Sequence, residues 1–262
     1  MHSRQVELEG THSMPIELTE SDSLTRVLEK IKPDLVIHTV ALTDVDRCEQ
    51  ESDLAQYINA ELAQNVAQAC GRLGIKLVHI STDHLFDGKK AFCTELDAVC
   101  PVNIYGKTKA LAEELVLGAC PYALVVRTNF YGWGPPYRQS FSDWIIQSLS
   151  AGKPLNLFGD VFYTPILIDS LVQFSHELIR LDASGVFNLV GNDRISKYEF
   201  GIAVAKCFGL NRDLIKLTSM GDRQSLVRRP LDMSLCNKKY KNSISHIVNG
   251  LIKDIQCLFL KI

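Results

Sequence analysis

The sequence predicts an α/β protein built on a doubly wound parallel sheet, and three features carry that prediction. Nearly continuous apolar runs of strand length recur along the chain, as in Leu35-Val-Ile-His-Thr-Val-Ala41 and Lys76-Leu-Val-His-Ile-Ser81. Runs of this kind suit strands covered on both faces. Between them lie stretches whose apolar residues recur at helical spacing. Strand and helix alternating at these lengths is the sequence form of parallel strands joined by right-handed crossovers.

From the front, Leu24, Val27, Leu28 and Ile31 recur three and four residues apart and predict a helix from Ser23 to Lys32, ended by Pro33. A strand from Leu35 to Ala41 follows. The next helix runs from about Leu54 to Leu73, with Gly74 placed as its C-cap. The strand Lys76 to Ser81 comes next, then a helix from about Tyr105 to Leu117 and a strand from Ala123 to Arg127. Gly132, Gly134, Pro135 and Pro136 mark a loop. Gly185 to Val190 resumes a strand, and Lys197 to Gly209 a helix. Residues 1–134 and 164–191 are expected to form the sheet domain, with 135–163 and 192–262 as a smaller lobe. Basic residues gather in that lobe at Arg223, Arg228, Arg229, Lys238 and Lys239.

Composition narrows the function. A chain of 262 residues can bury a large core, and a net charge of -2 provides no global field that calls for nucleic acid or an acidic membrane. The eight cysteines include no Cys-x-x-Cys pair and no Cys/His cluster at zinc-ligand spacing, so no metal site is expected and the thiols read as reduced, mostly buried fillers. No stretch approaches the roughly 20 apolar residues of a membrane span. Met1-His2-Ser3-Arg4-Gln5 lacks the apolar core of a signal peptide, so the cytoplasm is the expected compartment.

The chemistry concentrates in two segments. In Pro101-Val-Asn-Ile-Tyr105-Gly-Lys-Thr-Lys109 the tyrosine and lysine stand four apart, one turn from each other on one helix face. A phenol titrates near ~10 unaided, so exchanging a proton at neutral pH needs its anion favoured. An ammonium ~5 Å away at an effective dielectric of ~20 supplies roughly 3 kcal/mol, about two pK units. Tyr-x-x-x-Lys arises often by chance on helices and weighs little by itself. The second segment, Ser81-Thr82-Asp83-His84-Leu85-Phe86-Asp87-Gly88, directly follows a buried strand, and ligands of open α/β sheets bind at the carboxyl ends of strands.

Together these segments resemble the extended short-chain dehydrogenase/reductase superfamily, and within it the dTDP-4-dehydrorhamnose reductase family. Ala41-Leu-Thr-Asp-Val-Asp-Arg-Cys-Glu49, Asn59, Arg127-Thr-Asn-Phe-Tyr-Gly132 and Arg229-Pro-Leu-Asp-Met-Ser-Leu235 fall in the same order as further family motifs. The resemblance implies a Rossmann-type fold with a substrate-binding lobe, and NADPH- or NADH-dependent reduction of the C4 keto group of a nucleotide-linked 6-deoxy-4-keto sugar. It makes Tyr105 the proton donor, Lys109 the group that lowers its pKa and holds the nicotinamide ribose, and Thr82 the partner of the reacting oxygen. Thr39, Val40 and Ala41 would lie under the adenine side of the cofactor, with Ser81 also on the cofactor side. Asp83 and Phe130 would touch the sugar, and Arg229 the diphosphate.

The chain departs from the family in three places. Gly10 is the only glycine before Gly71, so no Gly-x-x-Gly-x-x-Gly turn is present. The expected sheet therefore lacks its first strand and glycine-rich turn, roughly 30 residues of strand, helix and strand. His38 stands where the family usually has asparagine and reads as a core residue, while Phe130 replaces a tryptophan that stacks on the sugar. A non-catalytic subunit, like the β subunit of methionine adenosyltransferase, and an inactive reductase fragment remain alternatives. A homodimer is left open, as are the exact sugar and the choice between the two nicotinamide cofactors.

Overall fold

The computed structural model describes residues 9–135, 137–222, 227–244 and 249–260. Met1 to Gln5, Pro136 and Arg223 lie outside them.

Helix α1 (Ser21–Ile31) buries Leu24 and Leu28, as its apolar spacing predicts, and closes on Lys32 in the left-handed conformation with its N–H bonded to Leu28. Strand β1 (Leu35–His38) follows, three residues shorter at its end than the apolar run. Two short helices come next, α2 (Val45–Gln50) and α3 (Ser52–Gln56). The predicted single helix over Leu54 to Leu73 is interrupted. A π-helical turn at Tyr57–Glu61 separates α3 from α4 (Leu62–Leu73). The wider turn carries Asn59, whose carboxamide oxygen accepts from Leu42 N at 2.7 Å and whose nitrogen donates to the Leu42 carbonyl and the Thr108 hydroxyl. Gly74 caps α4 at φ 67°, as expected.

Strand β2 (Lys76–Ile80), helix α5 (Ile104–Ala119) and strand β3 (Leu124–Arg127) complete the first half. Then come β4 (Phe130–Tyr131), α6 (Phe141–Ser150), β5 (Leu155–Phe158), β6 (Phe162–Tyr163), β7 (Ile166–Leu167) and α7 (Ile168–Arg180). Strand β8 (Gly185–Asn188) returns to the main sheet, and β9 (Ile195–Ser196), α8 (Lys197–Cys207), β10 (Ile215–Thr218), α9 (Lys238–Ser243) and α10 (Leu251–Phe259) end the described chain.

The main sheet is parallel, in the order β1-β2-β3-β8. Alternate residues face opposite ways. Leu77 and Val125 pack beneath α1, α4 and α5, whereas Val78, Leu124, Val126 and Phe187 meet α7 and Tyr240 of α9. Among the described residues β1 pairs on one side alone, and Ile37 on it is half exposed. A separate core joins α6, α8 and α10 to the β5–β10 pair through Ile145, Leu157, Phe200, Val204 and Ile255. All eight cysteines are free. Cys48, Cys70, Cys93 and Cys120 are buried and Cys100 is exposed. No helix among the described residues is long and apolar enough to cross a membrane.

Candidate active site

The loop after β2 and the first turn of α5 meet because Gly106 has no side chain. A Cβ there would stand 2.4 Å from the His84 carbonyl oxygen and 2.8 Å from Cβ of Pro101. Asn103 starts the helix by accepting from Gly106 N at 2.9 Å, while its amide nitrogen donates to the Arg228 carbonyl at 2.9 Å. The two predicted segments are thereby clamped together. Thr82, Asp83, Tyr105 and Lys109 are all buried.

The Tyr105 phenol lies beside the Thr82 hydroxyl, which donates to Asp83 Oδ1 at 3.4 Å. Burial pushes the Tyr105 phenol up to about 12; the neighbouring Thr82 hydroxyl opposes the rise and the charge of Asp83 adds to it. The ring of His84 meets that of Tyr105 edge to face, with centroids 5.4 Å apart, and His84 N donates to Thr82 Oγ1 at 3.3 Å. Asp83 accepts from Asn129 Nδ2 at 2.6 Å, which fixes one carboxylate oxygen.

Lys109 stands one helical turn from Tyr105, and its ammonium turns to the end of β2, donating to the Ile80 carbonyl at 2.8 Å and lying 3.3 Å from His79 Nε2. Burial lowers that ammonium to about 8, opposed by Glu113. His79 stacks on His38 with centroids 5.4 Å apart. Burial first, and the Lys109 charge second, drives both imidazoles down, His38 to about 4. Below them Glu113 accepts from Arg127 Nη2 at 2.6 Å and from Ser81 Oγ at 2.5 Å.

The remaining predicted residues are more dispersed. Thr39 is exposed and Val40 and Ala41 half-buried at the carboxyl end of β1. The Ser81 hydroxyl points to Glu113 inside the protein. Phe130, on β4, is half exposed. Arg229 is committed to Asp46, Nη2 to Oδ2 at 2.6 Å, and to the Val227 carbonyl at 3.0 Å. That hydrogen bond holds the Asp46 carboxyl below its usual range. His79, Glu113 and Lys197 are the site-lining residues that spacing does not mark. Their signals are slight: a histidine inside an apolar strand, a glutamate inside a helix, and a lysine directly after a capping serine. Among the described residues no cluster of three or more His, Cys, Asp or Glu is placed to hold a metal ion.

A parallel sheet with a threonine at a strand end, beside a tyrosine that a lysine follows by one helical turn, defines an α/β protein of the short-chain dehydrogenase/reductase class. Within that class the chain belongs to the RmlD substrate binding domain family, whose profile matches residues 1–254. It is 30% identical over 219 residues to a probable low-salt glycan biosynthesis reductase, Agl14, of Haloferax volcanii, covering 82% of this chain and 73% of that one. It is 26% identical over 243 residues to the dTDP-4-dehydrorhamnose reductase of Escherichia coli K12, covering 88% and 81%. The crystal structure of dTDP-4-dehydrorhamnose reductase from Bacillus anthracis in complex with NADP superposes with a TM-score of 0.88 at 25% identity, over 94% of this chain and 87% of that one.

Proposed function

We propose that the chain is an NAD(P)H-dependent reductase of the C4 keto group of a nucleotide-linked 6-deoxy-4-keto sugar. The observation that carries this reading is the buried pairing of Thr82 with Tyr105 at the carboxyl end of the central sheet. A binding subunit has no need of it.

The residues present fit the nicotinamide end of a dinucleotide. An ammonium has three donors, and the Ile80 carbonyl and His79 engage two of Lys109's, leaving one for a ribose hydroxyl. His38 Nε2 is buried without a partner beside the open Thr39–Ala41 segment, which we assign to the adenine side, with Ser81 also on the cofactor side. A bound nicotinamide would supply the hydride to C4 of the sugar. Tyr105 holds its proton at neutral pH, which is the form a donor needs, and delivers it to the carbonyl oxygen as the C–O bond becomes an alcohol. Thr82 orients that oxygen. Asp83, steadied by Asn129, accepts from a sugar hydroxyl, and Phe130 offers a face to the ring. We further assign 135–163 and 192–262 to the substrate lobe, place the protein in the cytoplasm, and allow a homodimer across the open edge of β1.

The test mixes the protein with NADPH or NADH and dTDP-4-dehydrorhamnose, following nicotinamide absorbance and the product by mass. Tyr105→Phe is expected to lower turnover about 100-fold or more, within the usual contribution of a positioned acid. Turnover by Tyr105→Phe equal to that of the parent would leave the binding-subunit reading as the better one.

A further inference from the structure

A cleft of about 290 Å³ opens between the loop after β2 and the second core, lined by His84, Phe141, Trp144, Phe158, Lys197 and Arg229 among others. The described residues lining it include no carboxylate. Its three basic side chains are not equivalent. Arg229 is neutralised by Asp46, and burial holds His84 below its ordinary range. Lys197 differs from both. Its ammonium lies 3.3 Å from the ring centroid of Tyr163 and 5.0 Å from that of Phe141, and no described residue accepts a hydrogen bond from it. Aromatic faces stabilise a cation while leaving its donors for an oxygen ligand.

The position is also an unexpected one for a lysine. Lys197 is the first residue of α8, directly after the Ser196 cap, where the helix dipole already presents positive charge. Glu199 of the capping box offsets part of this. A cation that is half-buried among aromatic rings, set at a positive helix end and left without an acceptor is disfavoured until an anion arrives. The nearest opposing charge is Asp83, whose carboxylate is bonded to Asn129.

We infer that Lys197 binds the anionic diphosphate of the substrate, so that it, and not Arg229, selects nucleotide-linked sugars over free ones. This rests on the reductase reading and deepens it. Burial lowers the Lys197 ammonium to about 8, so its affinity for an anion falls as pH rises through that value. The other groups facing it are Asp83 and His84 from the loop after β2, Tyr163 from β6, and Arg229. Burial raises the Tyr163 phenol and lowers His84, so neither changes charge between pH 7 and 9.

Calorimetric titration of the full chain with dTDP tests the assignment. Lys197→Met should weaken dTDP about tenfold or more and raise KM for the nucleotide sugar to match, with a smaller change in kcat. Lys197→Arg should keep affinity within about threefold of the parent and lose the decline above pH 8. The parent's own affinity between pH 7 and 9 provides a readout that needs no variant to fold. Equal dTDP affinity in Lys197→Met and parent, or a parent affinity flat across that range, overturns the assignment while leaving the reductase reading intact. A parent that binds no dTDP overturns both.

Discussion

At Tyr105 two effects compete for one proton. Burial raises the phenol to about 12, and the neighbouring Thr82 hydroxyl pulls it back. Removing that hydroxyl should therefore raise the phenol further and slow proton delivery. Thr82→Val is expected to lower kcat about tenfold or more with little effect on cofactor affinity, and Thr82→Ser to recover most of it. A steady-state pH profile of the three proteins checks this. Thr82, Tyr105 and Lys109 were legible in the sequence because local geometry places them: two lie one helical turn apart, and the third follows a buried strand. Lys109's actual partner was not legible, since His79 stands 30 positions away. Arg229 reads as a free cation until the fold brings Asp46, 183 positions distant, to its guanidinium.

Between elements, the close approach at Gly106 governs the site. Gly106→Ala would drive a methyl group into the His84 carbonyl, so either the loop after β2 or the start of α5 must shift. Overpacking of this kind costs about 1–3 kcal/mol, and the shift separates Thr82 from Tyr105. Thermal melts should show a modest loss, and turnover a larger one than the melt alone explains. The α5–β3 contact depends instead on charge. Glu113→Leu leaves Arg127 buried without its partner, and a loss of about 3–5 kcal/mol in denaturant titrations is expected. Most helix and strand positions could be read from apolar spacing, and Gly74 marked its helix end correctly. The π-helical turn at Tyr57–Glu61 could not, because it exists to turn Asn59 toward Leu42 and Thr108, a demand set by tertiary contacts.

For the molecule as a whole, the stacked imidazoles make stability depend on pH. His38 falls from its ordinary 6.5 to about 4 on folding, so between those values the unfolded chain binds the proton that the folded one refuses. The stabilisation is complete above about 6.5 and is lost as pH falls toward 4, on the order of 3 kcal/mol for His38 alone. His79, shifted the same way, adds to it. Urea titrations at pH 7 and pH 5 should show the decline, and His38→Asn should flatten part of it. A parallel sheet was predictable from its continuous apolar runs. The second core, built from α6, α8, α10 and a two-stranded pair, was less so, since its strands are short and pair across some sixty residues.

The distribution of thiols gives the protein a built-in set of clocks. Cys100 is open to an alkylating reagent at once, whereas burial raises Cys48 and Cys93 to about 11 and Cys70 to about 12, so both access and ionisation delay their labelling. Together with Cys120 they report on three neighbourhoods. Cys70 and Cys120 sit in the layer beneath α1, α4 and α5, Cys48 packs near Tyr105, and Cys93 lies with Leu85 and Phe86 under the loop after β2. Pulsed labelling read by mass spectrometry would thus time the opening of each region separately in the unaltered protein. Simultaneous labelling of all four would mean that the layers come apart together.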